Sequence, residues 1–490
     1  MARHVIVVGG GNAALCAAIS ACESGARVTL LERAPFDLRG GNTRFTAGAM
    51  RAVYDGVGDL VRLMPDLTQS EIERTDFSSY SAADFFDDIG RVTQYRCDPT
   101  LADRLVNDSF ETLRWMQSHG VRFLPLYGRQ SFNVDGRVRF WGGLTIEAWG
   151  GGPGLVDALT AGARRAGVSL RYGVRAVRLA TQSGRIAGIH ARCDGRDEFI
   201  EADAAVLAAG GFEANPAWRA RYLGPGWDLA RVRGTRFNTG DGIQMAIDVG
   251  AAVRGHWSGC HAVGWDANAP EFGDLDVGDG FQKHSYPFGI MVNSRGQRFV
   301  DEGADFRNYT YAKYGREILA QPGQIAWQIF DAKVTHLLRD EYRIRQVTRV
   351  TGDSIAALAA KLDGIDAGAL SNTVAEFNGA VDQSTPFDPT RKDGRAASAL
   401  APPKSNWANP LDTPPFEAYA VTCGITFTFG GLHVDANARV ISEEGEPISG
   451  LYGAGELVGG LFYFNYPGGT GLTSGAVFGR LAGRGAATET

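Results

Sequence analysis

This 490-residue sequence reads as an α/β protein split by an inserted α+β segment. Three stretches carry that reading. Residues 4–32 alternate strand, helix and strand. Residues 421–490 return to the same texture of short strands and glycine turns. Between them, residues 266–420 carry Trp, Tyr, charge and proline instead.

The opening is the most informative part. His4–Val8 (HVIVV) is a short β-branched run that suits a buried parallel strand. Gly9-Gly10-Gly11-Asn12-Ala13-Ala14 fits G-x-G-x-x-A, a small-residue helix follows over Ala13–Ser24, and Arg27–Leu31 forms a second strand ending at Glu32. This is a complete βαβ unit with an acid about 20 residues after the glycines. Gly9 permits the tight turn, Gly11 lets backbone approach a pyrophosphate, and Ala14 allows close helix–strand packing. The helix N-terminus offers partial positive charge to phosphates, and Glu32 can accept hydrogen bonds from a ribose diol.

Composition narrows the rest. The 65 glycines are about 13% of the chain, roughly twice the usual share. They follow no three-residue period, which excludes collagen, and 44% hydrophobic residues exclude a disordered chain. A net charge of −6 points to no nucleic-acid partner. The six cysteines form no CxxC pair, so no zinc, iron–sulfur or disulfide framework is expected. No apolar run reaches bilayer length. The first residues read as a strand rather than a signal peptide. A cytoplasmic location is expected.

Further along, residues 60–150 look mainly helical. Leu155–Ala166 reads as a helix, and Val168–Tyr172, Ala176–Thr181, Ile186–Arg192 and Ala204–Ala208 as strands. In the insertion, Gly289–Val300 reads as a hairpin turning at Ser294-Arg295-Gly296, with helices at 314–320 and 353–380. A glycine-rich helix over about 471–486 closes the chain.

Four later motifs favour a flavin dinucleotide over NAD: Arg39-Gly40-Gly41-Asn42-Thr43, Ala208-Ala209-Gly210-Gly211, Asn238-Thr239-Gly240-Asp241-Gly242 and Gly453-Ala454-Gly455-Glu456. A late strand ending in Gly-Glu, then a helix from Gly471, suits the flavin end of FAD, because helix N–H groups stabilise the reduced anion. On these residues the sequence resembles the flavoprotein superfamily of fumarate reductases and succinate dehydrogenases, which also holds 3-ketosteroid dehydrogenases and tricarballylate dehydrogenase. Gly9–Cys16, Arg233-Gly234-Thr235-Arg236, Cys260-His261-Ala262-Val263, Asp331-Ala332-Lys333-Val334 and Gly424–Thr428 look most like the tricarballylate branch. The resemblance implies a Rossmann-like, glutathione reductase-type FAD-binding domain (1–265 and 421–490) interrupted by an α+β capping domain (266–420). It implies FAD contacts from Gly9, Gly11, Asn12, Ala14, Glu32 and Arg33, from Gly40, Gly41, Asn42, Thr43, Ala47 and Gly48, and from Val174, Ala209, Gly210, Asn238 and Asp241. Gly455, Glu456, Gly469, Gly471 and Leu472 complete the set. Asn42 stands where covalent succinate dehydrogenases carry a flavin-linking histidine, so non-covalent FAD is expected.

The resemblance also implies a catalytic set of Arg307, Tyr311, His261 and Tyr466. Arg307 follows Arg298-Phe299-Val300-Asp301-Glu302, as the proton-transferring arginine of fumarate reductases follows a similar run; on the bland reading it pairs with Asp305 or Glu302. Tyr309, Tyr311 and Tyr314 offer phenols from the capping domain. His261 sits where the family places a substrate-binding histidine, able to hydrogen-bond a carboxylate or a carbonyl. Two departures stand out: Phe427 replaces a second histidine, and Tyr466, in Tyr466-Pro467-Gly468-Gly469, replaces a carboxylate-clamping arginine. The Tyr-Pro-Gly run is similar to that of ketosteroid dehydrogenases, where a tyrosine and a backbone N–H polarise a ketone. Here Tyr466 and the Thr470 N–H would do so.

The expected activity is a dehydrogenase of the CH–CH donor class: hydride to flavin, proton to a capping-domain base. A ketosteroid-type dehydrogenase, an enone or fumarate-type reductase, a flavin electron carrier or sensor and an NAD enzyme without flavin remain open. With no iron–sulfur or haem motif, electrons must pass to or from quinone, oxygen or a separate redox protein.

Overall fold

The computed structural model describes residues 2–489. Strand β1 (His4–Val8) is buried along its whole length, between β2 (Arg27–Glu32) on one side and a later strand on the other. Helix α1 (Asn12–Glu23) joins the two. The unit continues through helix α2 (Gly151–Arg165) to β3 (Ser169–Tyr172), then β4 (Val174–Gln182), β5 (Arg185–Cys193), β6 (Arg196–Glu201) and β7 (Ala204–Leu207). The path across the first sheet is β4–β5–β12–β7–β1–β2–β3, where β12 is Pro447–Gly453 near the C-terminus. Pairing is parallel from β3 through β12, while β4, β5 and β6 form an antiparallel meander. The chain thus leaves this sheet after β7 and returns to its middle.

The excursion builds a second sheet. Its axis is β8 (Val253–Asp266) paired antiparallel with the 17-residue β11 (Phe416–Leu432), and β9 (Ile290–Asn293) and β10 (Ala326–Phe330) extend it through β11. Helix α3 (Tyr311–Leu319) packs against β8. The α/β architecture with an inserted cap is therefore present.

Helix α4 (Thr470–Thr488) closes the chain against α1. Both are built of small residues because they touch through backbone. A Cβ at Gly479 would lie 2.4 Å from the Ala13 carbonyl oxygen, and one at Gly483 2.0 Å from that of Ala17. Alanine, cysteine and serine in α1 fill the thin layer between sheet and α4, which explains a helix buried almost all round.

Three local expectations change. The helix expected over 353–380 is two, Ile355–Ala359 and Ala367–Ala380, separated at Gly364, whose φ of 69° no helix accepts. β6 is an additional strand. Residues 60–150 hold not only helices but five of the six strands of two small three-stranded sheets, the sixth being Ala49–Met50. Among the described residues, no helix is long and apolar enough to cross a membrane, and no group of His, Cys, Asp or Glu is arranged to hold a metal. All six cysteines are free thiols.

Candidate functional site

One continuous cleft runs from the C-terminal ends of β1 and β2 to the second sheet and α3. Strand ends supply it because backbone N–H groups and turns cluster there, outside the carboxyl edge of a parallel sheet. Gly9 turns the chain at φ 117°; a Cβ there would lie 2.2 Å from the Ala208 carbonyl oxygen. Glu32 sits beside it, 6% exposed, with Oε1 accepting from the Ala34 N–H at 2.7 Å. Burial outweighs the backbone donors around it and raises its pKa to about 7. Arg33 reaches across to Asp241 (3.1 Å), which Arg175 also holds (2.8 Å).

Of the residues expected to face a cofactor, Gly9, Gly11, Asn12, Glu32, Arg33, Gly41, Asn42, Thr43, Ala47, Val174, Ala209, Gly210, Asn238, Asp241, Gly455, Glu456, Gly469, Gly471 and Leu472 all line this cleft. Ala14, Gly40 and Gly48 do not. Ala14 is fully buried inside α1. Gly40 and Gly48 let the wall close behind: added Cβ atoms would meet Val156 at 2.8 Å and the Gly151 backbone at 2.7 Å.

The donor set fits FAD. Two helix N-termini open on the cleft with no side-chain cap, α1 after Gly11 and α4 after Gly469. The Asn12 N–H is taken by Thr43 Oγ1 at 3.1 Å and the Thr470 N–H by the Pro467 carbonyl at 3.2 Å; the other first-turn N–H groups and the helix dipoles favour negative charge at two separated places. A dinucleotide with a pyrophosphate and an acidic ring needs that spacing of donors. Between them Asn42 donates to Glu213 Oε1 and to the Thr426 carbonyl, both at 2.6 Å, and accepts from the Thr235 N–H at 2.8 Å. Glu213 and Glu456 are enclosed together, and burial with mutual repulsion lifts Glu213 well above the usual carboxylate range.

At the far end, Tyr311 and Tyr466 join hydroxyl to hydroxyl. Tyr311 is the first residue of α3, and Tyr466 precedes α4, so the bond ties the cap to the final segment. Burial raises both phenols above their ordinary value, which keeps them protonated. Of the three neighbouring tyrosines only Tyr311 lines the cleft. Tyr309 turns to Asp88 (2.6 Å), and Tyr314 donates to the Asp301 carbonyl.

Arg307 also lines the cleft, and its expected surface partners are taken. Asp305 pairs with Arg91 (2.5 Å) and Glu302 with Arg298 (2.5 Å). Arg307 instead donates to the Arg129 carbonyl at 2.5 Å.

His261 is elsewhere. It is fully buried behind Phe427, stacked on that ring at 5.1 Å, with the Tyr311 and Tyr466 rings edge-on at 4.9 and 4.8 Å. It does not line the cleft, since Phe427 takes that surface, and neither ring nitrogen has a partner. The Thr470 N–H is likewise occupied, donating to the Pro467 carbonyl at 3.2 Å.

The imidazole that does face the cleft is His284, from the irregular segment before β9. Its ring meets Tyr311 edge-on at 4.8 Å, and both its nitrogens are unpartnered. Arg129, Gln130, Asp279 and Gln282 join it. No motif announces these residues, because they sit on a one-turn helix and a loop without hydrophobic period.

A family model described as "FAD binding domain" matches residues 4–472. The chain is 30% identical to "Probable fumarate reductase Ifc3" of Shewanella frigidimarina, over 99% of this chain and 74% of that protein. It is 29% identical to "3-oxosteroid 1-dehydrogenase" of Mycobacterium tuberculosis, over 68% of this chain and 62% of that protein. Among solved structures, the open conformation of a flavocytochrome c3 fumarate reductase superposes with a TM-score of 0.73 at 27% identity, covering 99% of this chain and 78% of that one.

Proposed function

The chain belongs to the FAD-binding family and is an FAD-dependent oxidoreductase, and from that premise we propose that it acts on the CH–CH bond next to a carboxyl group of an organic acid, as tricarballylate dehydrogenase does. The observation that carries this reading is the buried Tyr311–Tyr466 hydroxyl pair, set in the cleft beside Arg307 and His284.

When bound, FAD supplies the two-electron acceptor or donor. The protein's part is to hold the substrate and manage one proton. In reduction the Tyr311 hydroxyl gives its proton to the carbon next to the carboxyl and is reprotonated from solvent through the Tyr466 hydroxyl; in oxidation the Tyr311 oxygen, its own proton first passed out through Tyr466, takes the proton of that carbon. Arg307 stays charged and binds the carboxylate. Burial and the neighbouring arginines keep His284 neutral, so its N–H can donate to the same group. The same residues serve both directions. Electrons pass to or from an external partner of the quinone, oxygen or redox-protein kind.

Asn42 supports non-covalent FAD: its side chain is an amide, engaged on both its donor and its acceptor side. Acid precipitation should release all the flavin. The free thiols support a cytoplasmic location.

A dye-linked screen of saturated carboxylic acids against cyclic ketones tests the main reading, which fails if no carboxylate is turned over. Ketosteroid-type dehydrogenation is the second reading, favoured by the rings around Tyr466: Phe427 at 5.2 Å and Phe462 at 5.5 Å. It predicts turnover of the ketones alone.

A further inference from the structure

Arg51 follows the short strand Ala49–Met50 and is fully buried, yet it does not line the cleft. Its role is read from what it grips. The Arg51 backbone N–H donates to the Gly469 carbonyl at 3.1 Å, and its Nε to the Gly468 carbonyl at 2.9 Å. Both carbonyls belong to the turn that follows Tyr466 and opens α4. On the other side of the guanidinium, Nη1 lies 3.4 Å from Asp88 Oδ2, on the helix Ala82–Val92, and 3.5 Å from the Tyr309 hydroxyl. Asp88 accepts from the Tyr309 and Tyr80 hydroxyls, each at 2.6 Å. The guanidinium carbon stands 5.0 Å from the Tyr80 ring centre and 5.4 Å from that of Tyr309.

The two sides of this grip meet at the reacting end. Tyr309 lies midway between Arg307 and Tyr311 in the chain, and its carbonyl accepts from Asn465 Nδ2 at 2.5 Å. Asn465 Oδ1 in turn accepts from the Tyr466 N–H at 2.9 Å. The Gly468 N–H donates to the Asn308 carbonyl at 2.9 Å. Arg51 thus holds, at one remove, both segments that carry the Tyr311–Tyr466 bond.

A buried guanidinium is costly, and an apolar side chain of similar volume is often as stable in its place. Packing alone does not account for the charge. Burial pulls the Arg51 pKa down, and Tyr80, Tyr309 and Asp88 more than offset that, so it stays charged. Its planar fork meets a carbonyl and a carboxylate at fixed angles, which a lysine does not reproduce. The same charge reaches Tyr466: burial raises that phenol, while Tyr311, Arg233, the Gly469 N–H and Arg51 pull it back.

We propose that Arg51 is a positioning residue of the reaction: it fixes the Tyr466–Gly469 turn through two backbone carbonyls and the 307–311 segment through Asp88 and Tyr309, and so sets the contact between the Tyr311 and Tyr466 hydroxyls. This rests on the phenol-pair reading above and deepens it.

The test is a double-mutant cycle on the holoenzyme: wild type, R51K, Y311F and R51K/Y311F, loaded with equal flavin. The flavin absorbance change is followed in single turnovers with whichever acid or ketone the wild type turns over. R51K should slow the maximal rate about 10- to 100-fold, the worth of a misplacement of roughly 1 Å. The substrate concentration giving half that rate should stay within about twofold, because Arg51 does not touch the substrate. In Y311F, where the pair is already broken, R51K should cost less than about threefold. Y309F removes the hydroxyl that Asp88 holds and keeps the ring; it should show the same pattern and carries the test if R51K loses its flavin. A wild-type rate in R51K, a loss confined to substrate affinity, or the same loss in the Y311F background as in wild type overturns the positioning role and leaves the phenol pair standing. A wild-type rate in Y311F overturns both.

Discussion

Glu32 shows how one enclosed side chain couples cofactor and stability. Its folded pKa of about 7 lies above its ordinary value of 4.5. Between those values the folded chain binds more protons than the unfolded one, so stability falls as pH rises across that window and levels off above it. Melting of the apoprotein at pH 5, 6, 7 and 8 should show a loss of about 1–3 kcal/mol from this group, and E32Q should flatten the curve. Ribose hydroxyls that donate to the carboxylate should shrink the same slope in the holoprotein. His261 makes the opposite case. It is enclosed, unpartnered and held neutral by burial and Arg233, so H261F should keep the stack on Phe427 and stay within about 1 kcal/mol of wild-type stability. The flavin content of H261F should also match wild type. H284Q, by contrast, should raise KM for carboxylates.

Between elements, glycine does two separate jobs, and composition alone does not separate them. Gly9 and Gly11 were legible as cleft-lining positions because a strand, a helix and a placed acid surround them. In the glycine-rich α4, Gly471 lines the cleft while Gly479 and Gly483 face the backbone of α1. A one-dimensional sequence does not show which helix a helix will meet. G479A should therefore push α1 away, cost roughly 1–3 kcal/mol or more by overpacking, and lower flavin occupancy. G25A is the control: it has φ of 88° and open space around its Cβ, so it should cost about 1 kcal/mol and keep the flavin. The reacting end was legible only in part. Tyr311 and Tyr466 stand in runs that resemble known ones. His284 and Arg129 come from a loop and a one-turn helix, where no periodicity marks a residue as facing inward.

Across the whole molecule, the first sheet supplies the turns and helix N-termini, and the segments between strands of the second bring Tyr311, Arg307 and His284 to the same cleft. β8 and β11 run antiparallel over most of their length, and the Tyr311–Tyr466 bond crosses from cap to final segment. Filling the cleft should therefore stabilise both layers as one unit. Adding FAD to the apoprotein at about 100 times its Kd should raise stability by about 2.7 kcal/mol, in one cooperative transition. The central claim is that the phenol pair moves the proton of a CH–CH redox reaction. Single-turnover change of the flavin absorbance, in wild type and Y311F loaded with equal flavin and saturated with an organic acid the wild type turns over, tests it most directly. The account predicts a rate at least about 100-fold slower in Y311F, with unchanged substrate binding; a rate equal to wild type would contradict it.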